Sequence, residues 1–279
     1  MAALRGRGRR RRDKRREHGG DEELPAHPAT QGSVLPVDSP LVELDDGWDF
    51  KVLVVGDAWV VRWPRHRLAV EEIEKEVELL PALAPLLPVA VPQFEYVSRE
   101  PWLVVYRLIR GEPLVDEDPD GVRAFLEALH RIDVTDVPAP RPDWLEEYRE
   151  QADEFRRKVL PLLEPDERSR GEALLAQTET LTGFEPALTH SDLGPTHLRV
   201  RDGRLAGVID WGDARIGDPA LDYSWLLNGP FADWDVDDEL RRRATIYHRL
   251  GPWFEVHYGV FTEQPQWIES GIAGVRERL

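Results

Sequence analysis

His190-Ser191-Asp192-Leu193-Gly194-Pro195-Thr196-His197 is followed, a short apolar stretch later, by Gly207-Val208-Ile209-Asp210-Trp211-Gly212-Asp213. The first stretch sets a carboxylate, Asp192, two residues after one histidine and five before another; the second sets Asp210 at the end of an apolar run. Between them, Leu198 to Val200, Asp202-Gly203 and Leu205 to Ile209 read as two strands about a tight turn, because an Asp-Gly pair accepts the positive φ that a two-residue hairpin needs. Such a hairpin presents both acids at one end. Phosphoryl transfer asks for little covalent help: a hydroxyl must be oriented and phosphate charge neutralised through a metal. One carboxylate beside the hydroxyl and one on the metal meet those needs, so Asp192 is predicted as the base and Asp210 as a Mg²⁺ ligand. Either alone says less, since a His-x-Asp arises by chance and an Asp after an apolar run more often opens a turn.

With these residues in place, the chain resembles the aminoglycoside phosphotransferase family, small-molecule relatives of the protein kinases. Residues 186 to 226 carry nearly all of the resemblance, which extends more weakly from about Asp46 to the C-terminus. The family's first motif is H-x-D-x-x-x-x-N; here His197 stands where Asn is usual, as it does in branches similar to the 2″-aminoglycoside and macrolide phosphotransferases. The resemblance implies a two-lobed, protein-kinase-like α+β fold: a β-rich nucleotide-binding N-lobe over 39–108, and a mainly helical C-lobe over 109–279 with the catalytic loop and acceptor-binding helices. It also implies ATP or GTP as phosphate donor. In the N-lobe it makes Arg62, where Lys is usual, the cation for the α- and β-phosphates, and Glu76 the residue that holds it; Arg keeps the charge but not the geometry of an ammonium. Gly47 falls in the loop over the phosphates, and Val105 and Tyr106 in the hinge whose backbone meets the purine.

In the C-lobe the resemblance sets His197 at a second metal position, where it either ligates the ion or steers water or phosphate, because imidazole is not the oxygen donor Mg²⁺ prefers. It makes His190, Asp218 and Asp222 structural supports and leaves Asp213 to metal or acceptor. The acceptor is expected on the C-terminal helices. There Asp233, Asp235, Asp237, Asp238 and Glu239 form an acidic cluster that fits either the ammonium groups of an aminoglycoside or the start of a solvated helix. A macrolide would need an aromatic cavity instead, for which Trp225, Phe231, Trp234 and Trp253 are available. A metabolic kinase for an amino alcohol or sugar, and a nucleotide-binding module without catalysis, are the remaining alternatives; the retained Asp192 and Asp210 argue against the last.

Composition narrows the setting. The chain of 279 residues has no cysteine, so disulfides and thiolate metal sites are excluded. With 32% charged residues and no apolar run near the ~18 a membrane helix requires, a soluble, cytoplasmic, monomeric protein is expected. Residues 1–20 hold nine Lys and Arg against Asp13 and Glu17, a net of +7, so the rest of the chain carries −24 of the formal total of −17. An acidic body repels nucleic acid and anionic membrane and attracts cationic small molecules. Residues 1–38 lack hydrophobic periodicity and are expected to form a disordered basic and polar extension.

The periodicity agrees with two lobes. Val52 to Val55 and Ala58 to Trp63 flank Gly56-Asp57 as a hairpin, and residues 69–82 place Val70, Ile73, Val77 and Leu80 on one helical face. Strands are expected at 93–98 and 102–109. Helices are expected around the apolar face of Val122, Phe125, Leu126 and Leu129, with His130 as a structural residue at its end. Further helices are predicted at 144–163 and 172–181, then from Pro219, at 241–250 and at 266–278.

Overall fold

The computed structural model describes residues 40–44, 49–135 and 137–279, so the expectations for residues 1–38 and for Gly47 lie outside the described residues. The chain divides into two compact units, one of the described residues up to 77 together with 92–108, the other of 78–91 and 109–279.

The smaller unit is an antiparallel sheet in the order β1-β2-β3-β5-β4, formed by Leu41–Leu44, Phe50–Val55, Trp59–Pro64, Trp102–Arg107 and Phe94–Arg99 respectively, with helix α1 (Arg67–Leu83) between β3 and β4. Gly56 and Asp57 both take positive φ, 56° and 49°, as their residue types allow. Alternation along the strands sorts the side chains. Val60, Val104 and Tyr106 pack with Ala69 and Ile73 of α1, while Val61, Leu103 and Val105 join Val55 and Trp59 in a second cluster. β1 is an addition to the sequence reading: its four residues are all exposed, so no apolar periodicity marks it, and it is held by its antiparallel pairing to β2.

The larger unit frames the catalytic stretch with two small sheets. In one, β6 (Glu112–Pro113), β8 (Leu198–Arg201) and β9 (Arg204–Val208) lie side by side; in the other, β7 (Ala187–Thr189) pairs with β10 (Arg215–Gly217). Asp202 and Gly203 turn the β8–β9 hairpin with φ of 53° and 72°. Gly207 is required on β9 because a Cβ there would come within 2.8 Å of the Ala90 carbonyl, which accepts from the Val208 amide. That contact ties 78–91 to this unit.

Helices α2 (Pro119–His130), α3 (Trp144–Lys158), α4 (Pro165–Ala176), α5 (Ala220–Leu227), α6 (Asp238–Thr262) and α7 (Pro265–Arg278) complete it. Val122, Phe125, Leu126 and Leu129 of α2 are fully buried, each contributing about 1.5–3 kcal/mol of transfer free energy. Three boundaries differ from the periodicity. α3 stops at Lys158, with Leu160–Leu162 in a 3-10 turn around Pro161, and α4 begins at Pro165 through a capping box between Glu164 and Glu167. α6 continues through Gly251-Pro252 rather than ending at 250. Proline at 252 cannot donate to the His248 carbonyl four residues back, and Arg278 of α7 donates to that carbonyl instead, Nη1 to oxygen at 2.8 Å.

Candidate active site

The loop after β7 is fixed from beneath by a buried carboxylate. Asp222, on α5, accepts from the amides of His190 (3.1 Å) and Ser191 (2.8 Å) and from His130 Nε2 (2.9 Å). Two backbone donors and an imidazole thus hold a chain whose Ser191 sits at φ 70°, a conformation non-glycine residues seldom adopt unsupported. His130 is therefore a structural residue, as its isolated place at a helix end suggested. A second buried acid, Asp218, caps the start of α5 through the Ala220 amide (3.0 Å). It also accepts from Arg243 Nε (2.7 Å) and the Tyr247 hydroxyl (3.0 Å).

His190 links the loop to the segment that bears Asp210. Its Nε2 donates to the Ile209 carbonyl at 3.0 Å, while Nδ1 is buried without a partner. Burial first, and then the neighbouring His197, depress its pKa, so the ring is neutral. Trp211, directly after Asp210, is wholly buried, with its indole nitrogen donating to the Val208 carbonyl (3.1 Å) and its ring 4.8 Å from that of His190. The chain is thereby pinned on both sides of Asp210, whose φ is 66°. The sequence singled out Asp210 but not Trp211, whose role rests on packing against helix α2 at Phe125.

His197 lies between the two acids. Nδ1 is 2.6 Å from the Asp192 carbonyl oxygen and 3.8 Å from its carboxylate, and Nε2 is 3.7 Å from the Asp210 carboxylate. A carbonyl oxygen only accepts, so Nδ1 donates its proton there and Nε2 is the ring nitrogen turned toward Asp210. This orientation is the one a ring nitrogen needs to ligate a metal or to accept a proton from bound water.

The other predicted residues fall into distinct settings. Arg62 and Glu76 form a buried two-point pair in the smaller unit, at 3.0 and 3.1 Å, with the guanidinium 4.1 Å from the centre of the Phe50 ring. Val105 and Tyr106 are interior residues of β5, paired on one side with β3 and on the other with β4, and their side chains are buried. The chain thus leaves the sheet only after Arg107. Asp213 stands 3.8 Å from Arg215, whose main partner is Glu147 at 2.8 Å.

A cavity in the larger unit reaches Asp192. It is lined by Ser191, Arg215, Glu147, Tyr148 and Gln151 of α3, Ser224 and Trp225 of α5, and Tyr247, His248 and Phe254 of α6. The acidic cluster is not among its lining. Asp237 there caps α6 by accepting from the amides of Glu239 (2.9 Å) and Leu240 (3.1 Å), and Glu239 pairs with Arg242.

Among the described residues no helix is long and apolar enough to cross a membrane. Antiparallel β-rich and helical units, with two acids at the end of one hairpin, define a kinase-like phosphotransferase. A family model described as "Phosphotransferase enzyme family" matches residues 40–257, and the chain belongs to that family. Viomycin phosphotransferase of Streptomyces vinaceus is 31% identical over 198 residues, 63% of this chain and 69% of its own. Among solved structures, the GDP and kanamycin complex of APH(2")-IIia superposes with a TM-score of 0.77 at 25% identity, covering 86% of this chain and 92% of that one. Macrolide 2'-phosphotransferase MphH from Brachybacterium faecium gives 0.67 at 25% identity, with 86% and 93% covered.

Proposed function

We propose that this phosphotransferase moves the γ-phosphate of ATP or GTP to a hydroxyl of a cationic small molecule, with an aminoglycoside as the foremost acceptor. The observation that carries the reading is the placing of Asp192 at the border of a cavity while Asp210 faces the Nε2 of His197. The strongly acidic body of the chain and the likeness to enzymes named for viomycin and for kanamycin binding favour a cation.

In this reading Asp192 orients the acceptor hydroxyl and takes its proton as the phosphorus–oxygen bond forms, and the nucleoside diphosphate leaves. Asp210 and Nε2 of His197 are the donors for Mg²⁺. No group of three or more acidic, histidine or cysteine side chains able to hold a metal occurs among the described residues. Two protein donors suit an ion that arrives on a nucleotide, since Mg²⁺ commonly takes one or two carboxylates and completes its shell with phosphate and water. When bound, the ion would neutralise charge on the β- and γ-phosphates. His190, Asp218 and Asp222 hold these groups in place, and Arg62, oriented by Glu76, is the cation for the α- and β-phosphates. A cytoplasmic setting, where nucleoside triphosphates are at hand, goes with this reading.

The test is transfer of labelled γ-phosphate from ATP and GTP to a panel of kanamycin, viomycin, a macrolide and an amino alcohol. Phosphorylation of the cationic antibiotics, abolished by Asp192→Asn, is the expected result. Transfer to the amino alcohol alone would make this a metabolic kinase.

A further inference from the structure

We propose that helix α3 carries the acceptor-recognition pair of this enzyme: the Glu147 carboxylate takes an ammonium group of the acceptor, and the Gln151 amide takes one of its oxygens. The inference rests on the phosphotransfer reading above and adds which atoms select the substrate class.

Glu147 and Gln151 are one helical turn apart on α3, so both side chains emerge on the same face, and both line the cavity that holds Asp192. Each has a buried polar atom with no hydrogen-bond partner: Oε2 of Glu147 and Nε2 of Gln151. Gln151 is only 8% exposed, and a buried amide without a partner costs about 1–3 kcal/mol. Two such atoms in one cavity wall, beside the proposed base, mark a surface completed by a ligand.

The charge of the wall chooses the ligand. Arg215 is the cation that faces Glu147, at 2.8 Å, and it is shared with Asp213 at 3.8 Å. Glu147 thus shares that guanidinium with a second acid, and its Oε2 is left for a positively charged donor. His248 contributes no positive charge near neutrality, because burial and the adjacent Arg278 lower its pKa to about 4. Tyr148 and Tyr247 stay protonated, their pKa values raised by burial. The cavity therefore pairs with a group that is positively charged and donates hydrogen bonds. Trp225 and Phe254 on the opposing helices supply flat apolar surface for a ring. A polyol bearing ammonium groups meets each of these demands, and an uncharged polyol meets only the second.

Isothermal titration of kanamycin, viomycin and fully N-acetylated kanamycin into the full-length wild type, Glu147→Gln and Gln151→Leu proteins tests the assignment without requiring turnover. Glu147→Gln is expected to weaken kanamycin by about tenfold to a hundredfold, as for a charge-assisted hydrogen bond. Gln151→Leu, which breaks no existing pair and so keeps the test open if the first variant folds poorly, is expected to weaken it by about threefold to tenfold. Acetylated kanamycin should bind the wild type weakly and be indifferent to Glu147→Gln. Equal kanamycin affinity in all three proteins overturns the proposal, as does a wild type that binds neither kanamycin nor viomycin. Kanamycin binding that follows the expected pattern without any transfer of phosphate would support the recognition pair and sink the phosphotransfer reading alone.

Discussion

Asp218 and Asp222 are wholly buried, and each accepts three hydrogen bonds from described residues, whereas Asp192 and Asp210 leave 22% and 45% of their side-chain surface open. All four lie within one stretch, yet they are built for opposite ends. A carboxylate removed from water persists as an anion only if its lone pairs are occupied, so a saturated acid is a fastening and is unavailable for chemistry. An acid that keeps part of its side-chain surface open remains within reach of a substrate. Burial, more than spacing, separates the acids that hold the loop from those that a substrate could reach.

The largest effect should come from breaking an open acid. Asp192→Asn is expected to lower turnover by about two to four decades, the range for a positioned base, with the melting temperature essentially unchanged. Steady-state phosphate transfer and a thermal melt on the same preparation decide it, and near-normal turnover would exclude Asp192 as the base. The buried set should respond in the opposite sense. Asp218→Ala strands Arg243 in a buried site and should cost about 3–5 kcal/mol of folding free energy, read from the urea midpoint. A variant as stable as wild type would show that the three bonds to Asp218 are incidental.

A subtler separation concerns His197, which joins the two open acids. With Nε2 on the metal, Mn²⁺ should support turnover relatively well, and His197→Asn should move the Mg²⁺ to Mn²⁺ rate ratio back toward Mg²⁺ by several-fold, about one decade at most. An unmoved ratio with reduced turnover would leave the ring to orient water or phosphate. The smallest effect belongs to His248, a half-buried imidazole outside the catalytic loop. Its folded pKa, about 4, lies below the ordinary value near 6.5, so the unfolded chain takes up the proton first. Stability from this group is full above about pH 6.5 and falls as the pH drops toward 4. Melting temperatures between pH 7 and 4 should therefore fall less steeply in His248→Gln; identical slopes would remove the effect.

How much of this was legible depends on where each signal resides. The hairpin at Asp202-Gly203, the positions of Asp192 and Asp210, and the helices with continuous apolar faces could be read directly, because turn chemistry and periodicity are local properties. β1 was not legible, since an exposed edge strand is specified by its neighbour. The passage of α6 through Pro252 was not legible either: local propensity ends a helix there, and the Arg278 guanidinium that accepts the displaced role comes from the next helix. Val105 and Tyr106, expected at a hinge, lie inside a strand bonded on both sides, which only the strand order reveals.

The sequence by itself pointed to the class of chemistry, because two motifs that each bear a carboxylate flank a tight-turn hairpin in a pattern that resembles a phosphotransferase family. Tertiary structure alone decided the state of each group within that plan. The Asp192 carbonyl fixes the proton of His197 on Nδ1, Trp211 pins the chain beside Asp210, and α3 carries Glu147 and Gln151 into a cavity reached from segments more than forty residues away. Such contacts join remote parts of the chain, and their hydrogen bonds and burial exist only after the segments have packed.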